Sequence, residues 1–177
     1  MIIAQTARLV LRTATLDDAA FYLALLNDPG FITHIADRQV RTVEGARQSL
    51  QDGPIAMQRA RGHSMYVVEQ SGTPIGMSGL IKRDALPEPD IGYAFLAAHC
   101  GKGYAQEAAG AVLQHAQALG MTRIMAITSR DNIASIRLLE KCGLRYQGVQ
   151  AIAPYATDSN VYFATLPAIG AAGSGGR

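Results

Sequence analysis

The stretch from Asp90 to Gly143 constrains this chain most, because its apolar pattern changes period three times and so dictates an alternation of strand and helix. Asp90-Ile91-Gly92-Tyr93-Ala94-Phe95-Leu96 reads as a strand. From Tyr104 to Leu119 the apolar residues fall at Ala105, Ala108, Ala109, Val112, Leu113, Ala116 and Leu119, a helical spacing held over several turns and closed by Gly120. Arg123 to Thr128 is a short, mostly apolar strand, and a second helix runs from about Ile133 to Cys142, ending at Gly143. Strand, helix, strand, helix in this order requires at least one parallel strand pair joined by a crossover.

The flanking segments fit around that unit. Arg8 to Arg12 alternates polar with apolar residues as a first strand. Thr15-Leu16-Asp17-Asp18 opens a helix to about Asn27, before Asp28-Pro29-Gly30, with Thr15 as N-cap and the two carboxylates at its positive end. Thr42 to Arg61 predicts a second helical region, broken or kinked near Asp52-Gly53-Pro54. Ser64–Gln70 and Ile75–Lys82 around Ser71-Gly72-Thr73-Pro74 predict a hairpin, and Arg145–Ile152 and Ser159–Leu166 read as closing strands.

One domain over 1–167 is the expectation for 177 residues, with the Ala/Gly/Ser-rich 168–177 as a flexible tail. Scattered lysines and arginines with a net charge of +2 argue against nucleic acid as a partner. Cys100 and Cys142 have no neighbours at metal-ligand spacing, so no metal and no disulfide framework is expected. No basic leader and no long apolar window are present, which points to a cytoplasmic protein without a membrane partner.

The chemistry should lie where the first strand of the unit meets its helix. His99-Cys100-Gly101-Lys102-Gly103-Tyr104-Ala105 joins them through two glycines, which can adopt positive dihedrals and let an anion approach bare amides at a helix N-terminus. A phosphate or pyrophosphate is the ligand such a turn accepts; a tight turn with no ligand is the other reading. The spacing matches neither a dinucleotide fingerprint nor a nucleotide-triphosphate loop.

Gly-Lys-Gly-Tyr-Ala-Gln-Glu-Ala at 101–108, with Asp-Ile-Gly-Tyr at 90–93 before it and Asn-Ile-Ala-Ser-Ile-Arg-Leu-Leu-Glu-Lys-Cys-Gly-Leu at 132–144 after it, resembles the GNAT superfamily of N-acetyltransferases. The resemblance covers nearly the whole chain. The opening Thr6-Ala7-Arg8-Leu9-Val10-Leu11-Arg12 is similar to the branch that acetylates N-terminal amines of ribosomal proteins. It implies an α+β, mixed α/β fold: a central twisted sheet, mostly antiparallel, with one parallel splayed strand pair and flanking helices. It implies direct transfer of an acetyl group from acetyl-CoA, as co-substrate, to an amine acceptor by a monomer or homodimer.

The resemblance also implies site residues. The pyrophosphate loop would comprise Cys100, Gly101, Lys102, Gly103, Tyr104 and Ala105, with Cys100 standing where relatives carry Arg or Gln. The pantetheine arm would pair with backbone at Phe95, Leu96 and Ala97. Asn132 reads either as a helix N-cap or as a pantetheine contact. The tyrosine acid of many relatives is replaced by Leu139, which leaves Ser135 to donate a hydrogen bond to the departing thiolate. Asp90 is the candidate general base, or else a solvated carboxylate at a strand start. His99 and Glu69 could act through water, whereas His63 reads as a solvated loop residue. Tyr93, Tyr104, Tyr146 and Tyr155 read as core or rim, and Glu107 as support for its helix's first turn. Two other functions use the same features: a non-catalytic acyl-CoA-binding regulatory domain, and a protein that binds another nucleotide through the Gly-rich turn. The acceptor pocket would be built by Ile32–Arg41 and Gln150–Asp158.

Overall fold

The hairpin expected at 64–82 forms as β3 (Met65–Gln70) and β4 (Thr73–Ile81), turned by Ser71 and Gly72 at φ 50° and 79°. Two successive positive φ values match the right-handed twist of the paired strands. In the computed structural model, which describes residues 1–152, 155 and 158–167, this hairpin lies near the middle of one eight-stranded sheet. The expected tail at 168–177 and part of the 150–158 loop lie outside the described residues.

The other strands are β1 (Ile2–Gln5), β2 (Val10–Thr13), β5 (Asp90–Phe95), β6 (Arg123–Ser129), β7 (Arg145–Gln150) and β8 (Ser159–Thr165). Their order is β1-β2-β3-β4-β5-β6-β8-β7, and every pairing is antiparallel except β5 with β6. The mixed sheet with one parallel pair is the expected architecture. β1 was not expected: four residues are too few to display an alternation. It forms because Thr6 turns the chain back, its amide donating to the Leu9 carbonyl at 2.9 Å, so that Ile2–Gln5 pair with β2.

The helices are α1 (Ala19–Leu26), α2 (Pro29–His34), α3 (Val43–Leu50), α4 (Ala56–Arg61), α5 (Tyr104–Ala118) and α6 (Ile133–Lys141). α1 ends at Leu26 with Asn27 as its C-cap, where the sequence puts the end, but Asp28-Pro29-Gly30 then starts a further helix that was not expected. Asp28 caps α2 by accepting from the Gly30 amide at 2.9 Å, and proline at the first helical position gives up a donor that would be unpaired anyway. The break expected near Pro54 is a π-type segment, Gln51–Ile55, that joins α3 to α4. The widened turn accommodates a residue that has no N–H to bond.

Residues facing each other across β4 and β5 separate the two sides of the sheet. Ile91, Tyr93 and Phe95 pack with α5 and α6 in the main core, together with Leu80, Val112, Ile124 and Leu139. Ala94 and Leu96 point the other way, into a cluster with Leu25, Phe31 and Met77. Strand alternation therefore puts Asp90 on the α1 side and Tyr93 on the α5–α6 side.

Tight packing makes Gly79 a stability test. A Cβ there would lie 2.1 Å from the Ser64 carbonyl oxygen, a backbone atom that cannot swing aside. Gly79→Ala should lower the unfolding free energy by ~3 kcal/mol, at the upper end of overpacking costs. Gly110→Ala, in mid-α5 with nothing within 4 Å, should instead raise it by ~0.5–1 kcal/mol. Urea denaturation of the two variants checks both signs.

Candidate active site

β5 and β6 touch at one point and then part. Their register is Asp90 against Met125, with the Met125 amide donating to the Pro89 carbonyl at 2.9 Å. Beyond it β5 bonds to β4 alone, and the Leu96 amide donates to Ile75 at 3.0 Å. Because backbone polar groups alternate sides along a strand, those of Tyr93, Phe95 and Ala97 face the opening V. The Ala97 amide donates to Asp28 Oδ2 at 2.9 Å, so of the three expected arm contacts Phe95 faces the cleft, Leu96 bonds to β4, and Ala97 is held by the α1–α2 corner.

A single helical turn, Ala97–His99, carries β5 into the glycine loop. Gly101 and Gly103 have φ of 73° and 81°, and a Cβ at Gly101 would meet nothing within 4 Å. These conformations turn the loop's backbone toward solvent immediately before Tyr104, the first residue of the 15-residue α5. The loop is held from behind by the N-terminal hairpin. Arg8 Nη1 donates to the Lys102 carbonyl at 3.0 Å, Arg8 Nε donates to Glu107 Oε2 at 2.7 Å, and the guanidinium lies 4.6 Å from the centre of the Tyr104 ring. Thr6 Oγ1 donates to Glu107 Oε1 at 2.6 Å. Glu107 thus ties α5 to the hairpin rather than only supporting its own first turn, and Arg8 is a loop-holding residue that no local pattern reveals. Lys102 curls back, Nζ donating to the Ala98 carbonyl at 2.9 Å.

Cys100 lies at the loop entrance, its Sγ 3.6 Å from the Leu96 carbonyl. Burial, with Asp28 nearby, pushes this thiol above its ordinary value, so it stays protonated and is a poor nucleophile.

α6 begins on the same side of the V. Asn132 Oδ1 accepts from the Ser135 amide at 3.1 Å, which is the N-cap reading realised. Ser135 Oγ shares a 2.7 Å hydrogen bond with the hydroxyl of Tyr93 from β5. Burial pushes Tyr93 up to about 12, so the phenol keeps its proton. Leu139 is 1 % exposed and belongs to the core.

Asp90 stands at the vertex of the V and is not a solvated carboxylate: it is 1 % exposed, and Arg83 Nε donates to it at 3.0 Å. Burial outweighs Arg83 and pushes its pKa up to about 6. Glu69 lies on β3, two strands from β5, and accepts from Arg12 Nε at 2.7 Å; it is outside the cleft. His63 is buried, not a solvated loop residue, with Nδ1 3.3 Å from the Leu80 carbonyl. His99 stays at the loop entrance, its Nδ1 buried without a protein partner. The structure brings Tyr93 and Asn132 to Ser135, and places Phe95 and the 100–105 loop in succession along the end of β5; Asp90 is at the vertex, with its carboxylate buried on the α1 side against Arg83. Tyr93 was read from the sequence as core or rim; the available signal was its odd position on β5, shared with Ile91 and Phe95. Among the described residues no three His, Cys, Asp or Glu side chains gather as a metal site, and no helix is long and apolar enough to cross a membrane.

Residues 8–145 match the acetyltransferase (GNAT) domain family. The uncharacterized N-acetyltransferase YoaA of Bacillus subtilis is 31 % identical over 177 residues, covering 93 % of this chain and 97 % of its own length. The structure of RimL, a ribosomal L7/L12 alpha-N-protein acetyltransferase in complex with coenzyme A, superposes with a TM-score of 0.82 at 22 % identity, covering 94 % of this chain and 98 % of that one. A GNAT-family acetyltransferase from Bordetella pertussis superposes at 0.76 with 25 % identity, covering 92 % and 98 %.

Proposed function

This chain belongs to the GNAT family of acetyltransferases, and from that premise we propose that it transfers an acetyl group directly from acetyl-CoA to a primary amine, a protein N-terminus or a small molecule, in the V between β5 and β6. The observation that carries this reading is the cleft itself. An anion-accepting loop closes one end, and polar groups on α6 and β5 face each other across its α5–α6 side.

The residues present fit the co-substrate. The loop at 100–105 offers backbone amides to the pyrophosphate, with the positive end of α5 behind them. Phe95 offers strand-like backbone pairing to the pantetheine arm. With the Asn132 carbonyl oxygen spent on the helix cap, its Nδ2 remains to donate toward the arm.

Transfer needs the acceptor as a free amine, attack of its nitrogen on the thioester carbonyl carbon, rupture of the C–S bond, and a hydrogen bond to the departing sulfur. Asp90 takes the amine's proton through water, and Ser135 donates to the sulfur. The alternation of β5 supports this division. Asp90 lies on the α1 side and Tyr93, with its partner Ser135, on the other, so base and donor cannot quench one another by direct contact.

A pKa of about 6 suits Asp90 to accept a proton near neutrality. Its kcat/KM profile should rise with pH through about 6, and Asp90→Asn should abolish that limb while lowering the rate. For stability the sign is opposite. The folded state holds the proton more tightly than the unfolded chain, so the Asp90 contribution declines as pH rises from 3.8 to about 6 and is lost above it. A profile unchanged in Asp90→Asn would remove Asp90 as the base.

Leu139 in the usual tyrosine position is the one feature that favours a non-catalytic acyl-CoA-binding domain. The Ser135–Tyr93 pair, which supplies a hydrogen-bond donor from elsewhere, favours catalysis. Acetyl transfer assayed across peptide N-termini, amino acids, polyamines and aminoglycosides decides between them. Tight acetyl-CoA binding with no turnover of any amine class would establish the non-catalytic reading.

A further inference from the structure

Tyr93 is the group in the cleft to which no step has yet been assigned. Its ring extends from β5, the strand that forms one wall of the V, and its hydroxyl reaches the first turn of α6 against the other wall. There it lies 2.7 Å from Ser135 Oγ and 3.4 Å from the Ser135 carbonyl oxygen. A serine hydroxyl has one proton and two acceptor sites, and near a helix start that proton readily turns to a local carbonyl. A donor that occupies an acceptor site of Oγ leaves the serine's own proton for another partner.

We propose that Tyr93 is a positioning residue for acetyl transfer: its hydroxyl donates to Ser135 Oγ and thereby aims the Ser135 O–H at the sulfur of the departing thiolate. This rests on the reading of Ser135 as the thiolate's hydrogen-bond donor. No proton leaves Tyr93 in the step; the C–S electron pair stays on sulfur, Ser135 donates to it, and the tyrosine donates to Ser135.

The geometry and the chemistry of the two hydroxyls favour this direction: Ser135 Oγ, at 2.7 Å, is a nearer acceptor for the phenol than the Ser135 carbonyl oxygen at 3.4 Å. Burial pushes Tyr93 up to about 12, which keeps the phenolic proton in place. A phenol is the more acidic of the two hydroxyls, which favours it as the donor in the hydrogen bond they share. Tyr93 sits between Gly92 and Ala94, which face Gly79 and Met77 of β4 in the antiparallel ladder, so a paired strand carries the hydroxyl that meets a residue on a separate helix. The position one helical turn beyond Ser135 holds Leu139, buried and without a proton, so α6 itself supplies no such aid.

The test is a double-mutant cycle on the whole chain, with kcat and the KM for acetyl-CoA measured for the parent, Tyr93→Phe, Ser135→Ala and the double variant, each checked for an unchanged thermal midpoint. Tyr93→Phe should lower kcat about tenfold, the scale of one well-placed hydrogen bond, with KM altered by less than about twofold. In the Ser135→Ala background the same substitution should cost nothing further. A loss that persists undiminished in that background would overturn the proposal, since Tyr93 would then act on something other than Ser135. Full activity in Tyr93→Phe with a slow Ser135→Ala would overturn the coupling and leave Ser135 as donor. Full activity in Ser135→Ala would overturn both.

Discussion

Gly103→Val is expected to weaken acetyl-CoA binding by about a hundredfold while leaving the protein folded. Gly103 sits at φ 81°, where a β-branched side chain is an outlier, and its Cβ would come 3.3 Å from Arg8 Nη2. The chain must either shift the Arg8 guanidinium, which holds the Lys102 carbonyl, by a few tenths of an ångström or turn the loop, and a turned loop displaces the amides proposed to receive the pyrophosphate. Backbone strain of this kind, ~1–3 kcal/mol, falls on stability, whereas each lost hydrogen bond to a charged group costs ~1.5–3 kcal/mol of binding, so the loss of one or two such bonds accounts for about a hundredfold. Gly120→Val separates strain from binding. That glycine has the same φ of 81°, lies beyond the other end of α5, and would meet nothing within 4 Å. Titration calorimetry with acetyl-CoA should show full affinity for Gly120→Val and a large loss for Gly103→Val; equal affinities would remove the loop from the site.

Ser135→Ala carries the second large effect: kcat should fall about ten- to a thousandfold with acetyl-CoA affinity nearly unchanged, because a bond made to the thiolate exists mainly in the transition state. The structure makes this substitution clean. Asn132 caps α6 through the backbone amide of Ser135, which alanine retains, so the helix start keeps its 3.1 Å cap when the hydroxyl is removed. What is lost is one hydroxyl, and Tyr93 is left facing the gap. Steady-state kinetics with binding measured separately resolves the outcome. If affinity falls while kcat holds, Ser135 grips the co-substrate and the donor lies elsewhere.

Much of the fold was legible because it is specified locally. The spacing of Ala105 to Leu119 marks α5, Ser71-Gly72 sets the hairpin turn, and Gly101 and Gly103 announce positive φ. Two elements escaped for the same reason in reverse. β1 is too short to show a period, and α2 begins at a proline that reads as a stop when its use as a first helical residue is overlooked.

The sequence by itself therefore determined most of the elements, the parallel pair and the positive-φ glycine loop before α5, since periodicity and glycine chemistry act within a few residues of chain. Only the tertiary structure decided the state of the groups within the cleft. Asp90 is buried against Arg83 rather than solvated, Arg8 holds a loop 94 residues away, and Tyr93 meets Ser135 across 42 residues. Burial, charge pairing and a hydroxyl's orientation depend on which walls close around a side chain. Those walls come from strands and helices distant in sequence, so no local pattern encodes them.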